Sequence, residues 1–393
     1  MITIVTPTLD ASGYVENAIL SVLEQDAGDF EHIVIDGGST DGTINILRRF
    51  PHLRWISEPD SGQANALNKG FRMARGEIIG WLNADDSYTP GAMQTAINYL
   101  QNDEKGDIVY GDCRILREDG SVLTTFRPGQ TKVNEKLYKL AIHTPAVFFR
   151  KRIFDRVGYL DESYHYNLDN EFWLRAAPKV KQIYLPYTLA NFVHRSDSKT
   201  TSAHAEFGPE LCRMFSDAFE KEPYRSQVPR EIQEQVIGRT FWSTGVNLLL
   251  DGQKERAKSY LHDAIHKYGL LRWPDVMADC TIVRYVQRDV VDESTLMCLV
   301  EALPLEAHVR QQVSAIVRKA YQGLRFYAAF NRQDWQEVKS AGYRMIVQHP
   351  QILAKRGFMS IWAKALSGEW GRRVFRAFRS GRLHSESFKY AKR

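Results

Sequence analysis

At 393 residues the chain is too long for one ordinary domain and predicts two. Its 44% hydrophobic and 25% charged residues are those of a soluble globular protein, with no run of about 18 uncharged apolar residues to span a membrane. The net charge of +5 is uneven: residues 355–393 hold eleven Lys/Arg and two Asp/Glu, a net +9 that leaves −4 for the remainder.

Met1-Ile2-Thr3-Ile4-Val5 is apolar at once and lacks a basic n-region, so it reads as a first strand and not as a signal peptide. Further strands are predicted at His32–Ile35, Leu53–Ser57, Glu77–Leu82 and Asp107–Tyr110. Between the first two, Val15, Ala18, Ile19, Val22 and Leu23 recur at helical spacing, with Asp10 or Ser12 as the expected cap. Ala64, Leu67, Phe71 and Ala74 mark a second helix before the fourth strand. Such alternation predicts an α/β domain with a mostly parallel sheet covered on both faces, and ligands at the carboxyl ends of its strands. From about residue 205 helical patterns dominate. Pro223 and Pro229 bracket a plausible linker, which divides the chain into an α/β domain at 1–220 and an α-helical domain at 221–393. Phe241, Gly245, Leu248, Ala257, Leu261 and Ala264 have the spacing of a tetratricopeptide helix–turn–helix unit, with a fainter echo from Phe326 to Pro350. An ordinary helical core explains the same spacing. Cys113, Cys212, Cys280 and Cys298 lie far apart, which argues against a zinc site or disulfide framework and fits a reducing cytosol.

Three acidic segments carry the chemistry. Ile33-Val34-Ile35 runs into Asp36-Gly37-Gly38, where an Asp can accept hydrogen bonds from a nucleobase or ribose. Asp and Gly are also ordinary turn residues, and the segment is not a G-x-G-x-x-G fingerprint. An apolar strand leads into Asn83-Ala84-Asp85-Asp86, where two adjacent carboxylates repel each other and lose hydration. A divalent cation removes that conflict and grips a diphosphate; a solvated acidic turn is the bland alternative. Asp169, in Asn167-Leu168-Asp169-Asn170-Glu171, begins a predicted helix. It reads as a cap or as a base kept ionised by the helix N-terminus, and Glu171 can position the acceptor or pair with Arg175 four residues on.

Together these segments resemble the family 2 glycosyltransferases over roughly residues 1–205. The resemblance rests on Thr6-Pro7-Thr8-Leu9, on Asp36, on Glu58 through Gly70 in E-P-D-S-G-Q-A-N-A-L-N-K-G, on Asp85-Asp86 and on Asp169. It implies a GT-A fold and an inverting, single in-line displacement from a nucleotide-sugar donor, a UDP-sugar, to a saccharide or lipid-linked acceptor. Thr6, Pro7, Thr8, Asp36, Asn68, Lys69 and Asp85 would bind the donor. Asp86 and His194 would hold Mn²⁺ or Mg²⁺, and Asp169 would deprotonate the acceptor. His143-Thr144-Pro145-Ala146-Val147-Phe148-Phe149 is expected as an adjacent strand beside the acceptor. The sequence departs from the family at Leu168, where an acid often precedes the base, at Asn83, which leads the metal motif, and at Asn65.

The sequence has two rival readings. A nucleotidyltransferase would carry a basic, Gly-rich phosphate loop where Thr6-Pro7-Thr8-Leu9-Asp10 stands. A helical scaffold protein would leave the three acidic segments without purpose. Last, Trp370, Val374, Phe375 and Phe378 fall on one side of a predicted helix, with Arg372, Arg373, Arg376 and Arg379 opposite. That pattern suits docking at an anionic membrane surface, at the inner face of the cell membrane, as well as it suits packing on the helical domain. No specific nucleic-acid partner is expected.

Overall fold

The computed structural model describes residues 1–103, 106–129, 142–195, 198–199, 203–278, 300–332 and 334–348, with Thr281, Ser294 and Met297. The expected tail helix at 370–379, Pro350, Cys280 and Cys298 lie outside the described residues. The described residues form two compact units divided between Val236 and Ile237.

The strands are β1 (Ile2–Thr8), β2 (Phe30–Asp36), β3 (Leu53–Ser57), β4 (Ile78–Trp81), β5 (Ser87–Tyr88), β6 (Ile108–Leu116), β7 (Val122–Phe126), β8 (Val147–Arg150) and β9 (Gln182–Val193). All seven residues of β1 are buried, as a strand must be when helices cover both faces of its sheet. The order is β3-β2-β1-β4-β8-β6-β9-β5, with β7 on β6. β1 to β4 pair in parallel. β8 runs antiparallel between β4 and β6, β9 lies parallel to β6, and β5 is antiparallel to β9. The expected mostly parallel α/β sheet is present, with a mixed half beyond β4.

The helices are α1 (Val15–Leu23), α2 (Thr43–Leu47), α3 (Gln63–Met73), α4 (Ala92–Asn102), α5 (Ile153–Val157), α6 (Leu168–Ala176), α7 (His204–Glu220), α8 (Tyr224–Gln227), α9 (Arg230–Leu250), α10 (Lys254–His266), α11 (Ala307–Arg332) and α12 (Trp335–Gln348). Val15, Ala18, Ile19 and Val22 of α1 are buried as the spacing predicts, whereas Leu23 is left exposed. Neither Asp10 nor Ser12 caps α1: Asp10 accepts from Thr40 N at 2.8 Å, and Ser12 N donates to Asp41 at 2.8 Å. The loops after β1 and β2 are thereby knitted to each other. On one face of the sheet, Phe71, Trp81, Phe149, Phe154, Phe172 and Trp173 pack ring against ring, at centroid distances of 4.9–6.2 Å. Each buried side chain of this size stabilises the fold by roughly 1.5–3 kcal/mol. α3 comes close enough to β1 that a Cβ on Gly70 would overlap Val5.

In the second unit, Leu248, Ala257, Leu261 and Ala264 are fully buried, and a Cβ on Gly245 would stand 2.6 Å from Leu261 Cγ. The α9–α10 helix–turn–helix thus packs through the predicted residues. Phe326, Ala329, Phe330, Val338, Ala341 and Met345 form a separate core between α11 and α12. No helix among the described residues is long and apolar enough to cross a membrane.

Candidate active site

The carboxyl ends of β1, β2 and β4 lie side by side, with Thr8 opposite Asp36 and Val5 opposite Trp81. On this edge the expected donor ligands have mostly been spent on the protein itself. Thr6 is fully buried, and its hydroxyl meets His32 Nε2 at 3.0 Å. Pro7 is also buried. Thr8 alone keeps an unspent atom, a buried Oγ1 without a partner. Asp36 is closed to solvent, and its carboxylate accepts four hydrogen bonds, from Gly38 N, Ser39 N, Ser39 Oγ and Ser57 Oγ. It organises the turn after β2. Asn68 is engaged likewise. It is buried, gives its Nδ2 to Leu160 O and Glu162 Oε1, and takes Leu160 N on its Oδ1. A side chain so engaged braces the 160–162 loop. Lys69 is ion-paired with Glu58 at 2.7 Å. A residue the sequence left without a role is Asp60, half-exposed, whose Oδ2 stands 2.9 Å from where a Cβ on Gly37 would lie.

After β4, Asp86 N closes a turn on Asn83 O, and the two carboxylates part company. Asp85 is half-exposed, whereas Asp86 is 1% exposed. Asp86 Oδ2 accepts from Asn83 Nδ2 at 3.2 Å, while its Oδ1 is buried without a partner. Burial, and then the Asp85 charge, push the Asp86 carboxyl well above its usual range. Burial, and then the Asp86 charge, push the Tyr88 hydroxyl and the Cys113 thiol up, which sets Asp86 against those core side chains. Of the two carboxylates Asp85 is thus the more exposed. Asn83 Oδ1 also accepts from Gln63 Nε2 and Trp81 Nε1, both at 3.0 Å, which ties the turn to α3 and β4.

A cleft of about 570 Å³ opens beside the pair, lined by Tyr14, Asn17, Asp85, Asp86, Val193 and Arg195 among others. Val193 and Arg195 line it, and His194 between them is exposed. Arg195, with its guanidinium 4.3 Å from the Tyr14 ring centroid, is the residue of that segment that meets the cleft. No group of three or more His, Cys, Asp or Glu among the described residues could hold a metal ion. The donor set nevertheless fits Mg²⁺ or Mn²⁺. An orphaned buried carboxylate oxygen beside a second carboxylate is a conflict that a hard cation relieves, and such ions take one or two carboxylates plus substrate phosphates.

Asp169 lies across the same edge. Its Oδ2 accepts from Thr144 Oγ1 at 3.0 Å and its Oδ1 from Asn170 N at 2.8 Å. Trp173 Nε1 donates to Thr144 Oγ1 at 3.2 Å, so the hydroxyl proton is left to point at Asp169. Thr144 begins a short 3₁₀ turn, Thr144–Ala146, in place of the strand expected from His143, and β8 starts only at Val147. Phe148 of β8 sits opposite Gly80 of β4, and the Trp173 ring lies 6.4 Å from that of Trp81, which bonds Asn83. Asp169 is partly open to solvent, yet its carboxyl is desolvated enough to be pushed above its usual range, against the lowering by its hydrogen bonds. Glu171 is not free to meet an acceptor. It forms a two-point ion pair with Arg175, at 2.7 and 2.8 Å. The sequence reading gave Thr144, Trp173 and Arg195 no role of their own at these carboxylates. Of the three, Thr144 lies in the H-T-P-A segment expected beside the acceptor.

The model of "Glycosyl transferase family 2" matches residues 3–158. A PGL/p-HBAD biosynthesis glycosyltransferase of Mycobacterium tuberculosis is 31% identical over 216 residues, covering 53% of this chain and 82% of that protein. The chain belongs to glycosyltransferase family 2. This glycosyltransferase is also 29% identical over 192 residues to an uncharacterized glycosyltransferase of Rickettsia felis, covering 45% of this chain and 32% of that protein. Its fold resembles that of S. aureus TarS 1–349 in complex with UDP-GlcNAc. The TM-score is 0.52 at 16% identity, covering 82% of this chain and 91% of that one, and it shares the GT-A architecture.

Proposed function

We propose that this glycosyltransferase moves a sugar from a UDP-sugar to an acceptor hydroxyl with inversion, using Asp169 as base and a divalent cation at Asp85 and Asp86. The observation that carries this reading is Asp169 itself, a half-open carboxylate fixed by Thr144 Oγ1 and Asn170 N at the edge where Asp85 opens. One oxygen of Asp169 takes the acceptor's proton as the acceptor oxygen bonds to the anomeric carbon, and the bond from that carbon to the diphosphate breaks on the opposite side. Thr144, itself aligned by Trp173, holds the carboxylate in one orientation, so little of the attack geometry remains to be found on binding. Arg195 brings a fixed positive charge to the cleft that Asp85 lines. When bound, the cation would add positive charge to the departing diphosphate.

The UDP-sugar reading draws support from the UDP-GlcNAc named for the TarS complex. A saccharide or lipid-linked acceptor in bacterial polysaccharide or glycolipid assembly is in keeping with the biosynthetic role named for the mycobacterial relative. Proton NMR of the first product formed tests the mechanism. Opposite anomeric configurations in donor and product are expected, and retention would overturn the single displacement.

A further inference from the structure

The segment that delivers Asp169 is held from outside its own helix. α6 has no side-chain cap on its first turn. Instead Glu210, on α7, accepts three successive backbone N–H groups: His165 N on Oε1 at 2.7 Å, and Tyr166 N and Asn167 N on Oε2 at 2.8 Å each. Asn167, fully buried two residues before Asp169, adds a bond from its Nδ2 to Phe207 O at 2.8 Å. Its Oδ1 accepts from Asn170 Nδ2 at 3.1 Å. One turn further along α7, Arg213 stacks over Tyr164 at 4.0 Å and donates to Ser163 O at 2.9 Å. Phe207, Glu210 and Arg213 are spaced three apart and share one face of α7. From the other side Glu162 is fixed by Asn65 and Asn68 of α3, at 2.9 Å each. The loop between α5 and α6 is thus gripped at 162 by α3 and at 163–167 by α7, and α7 lies beyond the residues 3–158 that match the family.

We propose that Glu210 is a positioning residue for Asp169, setting the place of the base through the backbone of residues 165–167; this rests on Asp169 being the base. A carboxylate suits the task because its two oxygens take three donors. A carboxamide of the same size has one acceptor oxygen and turns an NH₂ toward N–H groups. Glu210→Gln should therefore harm the enzyme although it preserves volume. A displacement of the base by about 1 Å can cost roughly a hundredfold in rate.

The test is a double-mutant cycle on the full chain with Asp169→Asn, Glu210→Gln and the pair, measuring kcat and UDP affinity in Mn²⁺ for each. Asp169→Asn should lose roughly 10²- to 10⁴-fold in kcat. Glu210→Gln should lose roughly ten- to a hundredfold in kcat with UDP affinity unchanged, and the double variant should be no slower than Asp169→Asn. Wild-type kcat in Glu210→Gln beside an inactive Asp169→Asn would overturn the positioning role alone. So would a Glu210→Gln loss that multiplies the residual rate of Asp169→Asn, because Glu210 would then act elsewhere. A fast Asp169→Asn would remove the base assignment instead, and the proposal with it. Should Glu210→Gln not fold, Glu210→Asp replaces it in the cycle. Its shorter carboxylate draws the loop out of place, so kcat should fall with UDP affinity held, and an unchanged kcat would overturn the proposal.

Discussion

The loops after β1 and β2 and the loop leading into α6 both present carboxylates at one edge of the sheet, and they use them in opposite ways. Asp36 is enclosed and surrounded by four donors from its own turn and from Ser57. Asp169 has two donors, an open side, and a carboxyl raised by burial. The first has little capacity left for a ligand, whereas the second is incompletely satisfied and able to take a proton. Asp85 and Asp86 differ in another way, the first half-exposed and the second enclosed with an oxygen unspent. An acidic residue at a strand end becomes chemistry only where the fold leaves it unfinished.

The largest effect that would sharpen this contrast is expected at Asp85. Asp85→Ala, or chelation of the wild type, should lower turnover by roughly a thousandfold, since cation stabilisation of a leaving group is worth several kcal/mol. Added Mn²⁺ should restore the chelated wild type but not the variant. Full turnover in metal-free buffer would mean that Arg195 and its neighbours suffice. Asp36→Ala should act on the fold instead, costing about 2–4 kcal/mol in urea denaturation as its buried donors lose their acceptor. Loss of UDP affinity with stability intact would return Asp36 to the donor site. The smallest effect is expected at Asp86. Its carboxyl is raised in the folded state, so the metal-free protein is most stable where Asp86 is protonated. That stability is lost as pH rises from the usual carboxylate range through the raised value. Asp86→Asn should thus raise the metal-free Tm near neutral pH by a few degrees, at about 2–4 °C per kcal/mol, and remove most of the stabilisation by Mn²⁺. An unchanged response to Mn²⁺ would detach Asp86 from the cation.

Much of the frame was legible before the structure. β3 falls on the predicted residues, and β1, β2, β4 and β6 on extended versions of them or within a residue or two. Apolar runs and helical spacing report burial directly, and burial decides these elements. β9 was not legible, because Pro186 interrupts its pattern. The pairing of β6 with β9 accommodates it with a register shift, from Tyr110–Tyr184 to Asp112–Thr188. At the site, Asp169 and the Asp85-Asp86 pair could be singled out by residue type and position. What decides their state lies far away in the chain. Thr144 holds Asp169 from 25 residues off, Ser57 reaches Asp36 from 21, and Glu162 engages Asn68 from 94. Which of two adjacent carboxylates faces out depends on the turn at Asn83–Asp86 and on Val193, and neither leaves a trace in local spacing.

The measurement that bears most directly on the assignment of Asp169 is turnover against pH at saturating donor, acceptor and Mn²⁺, for the wild type and Asp169→Asn. The base works only when ionised, and burial raises its carboxyl above the ordinary aspartate value. Wild-type turnover should therefore fall as pH is lowered through a limb lying above that value. The residual turnover of Asp169→Asn, roughly 10²- to 10⁴-fold lower, should lack the limb. A variant that keeps most of its turnover, or that shows the same acid limb as the wild type, would contradict the account.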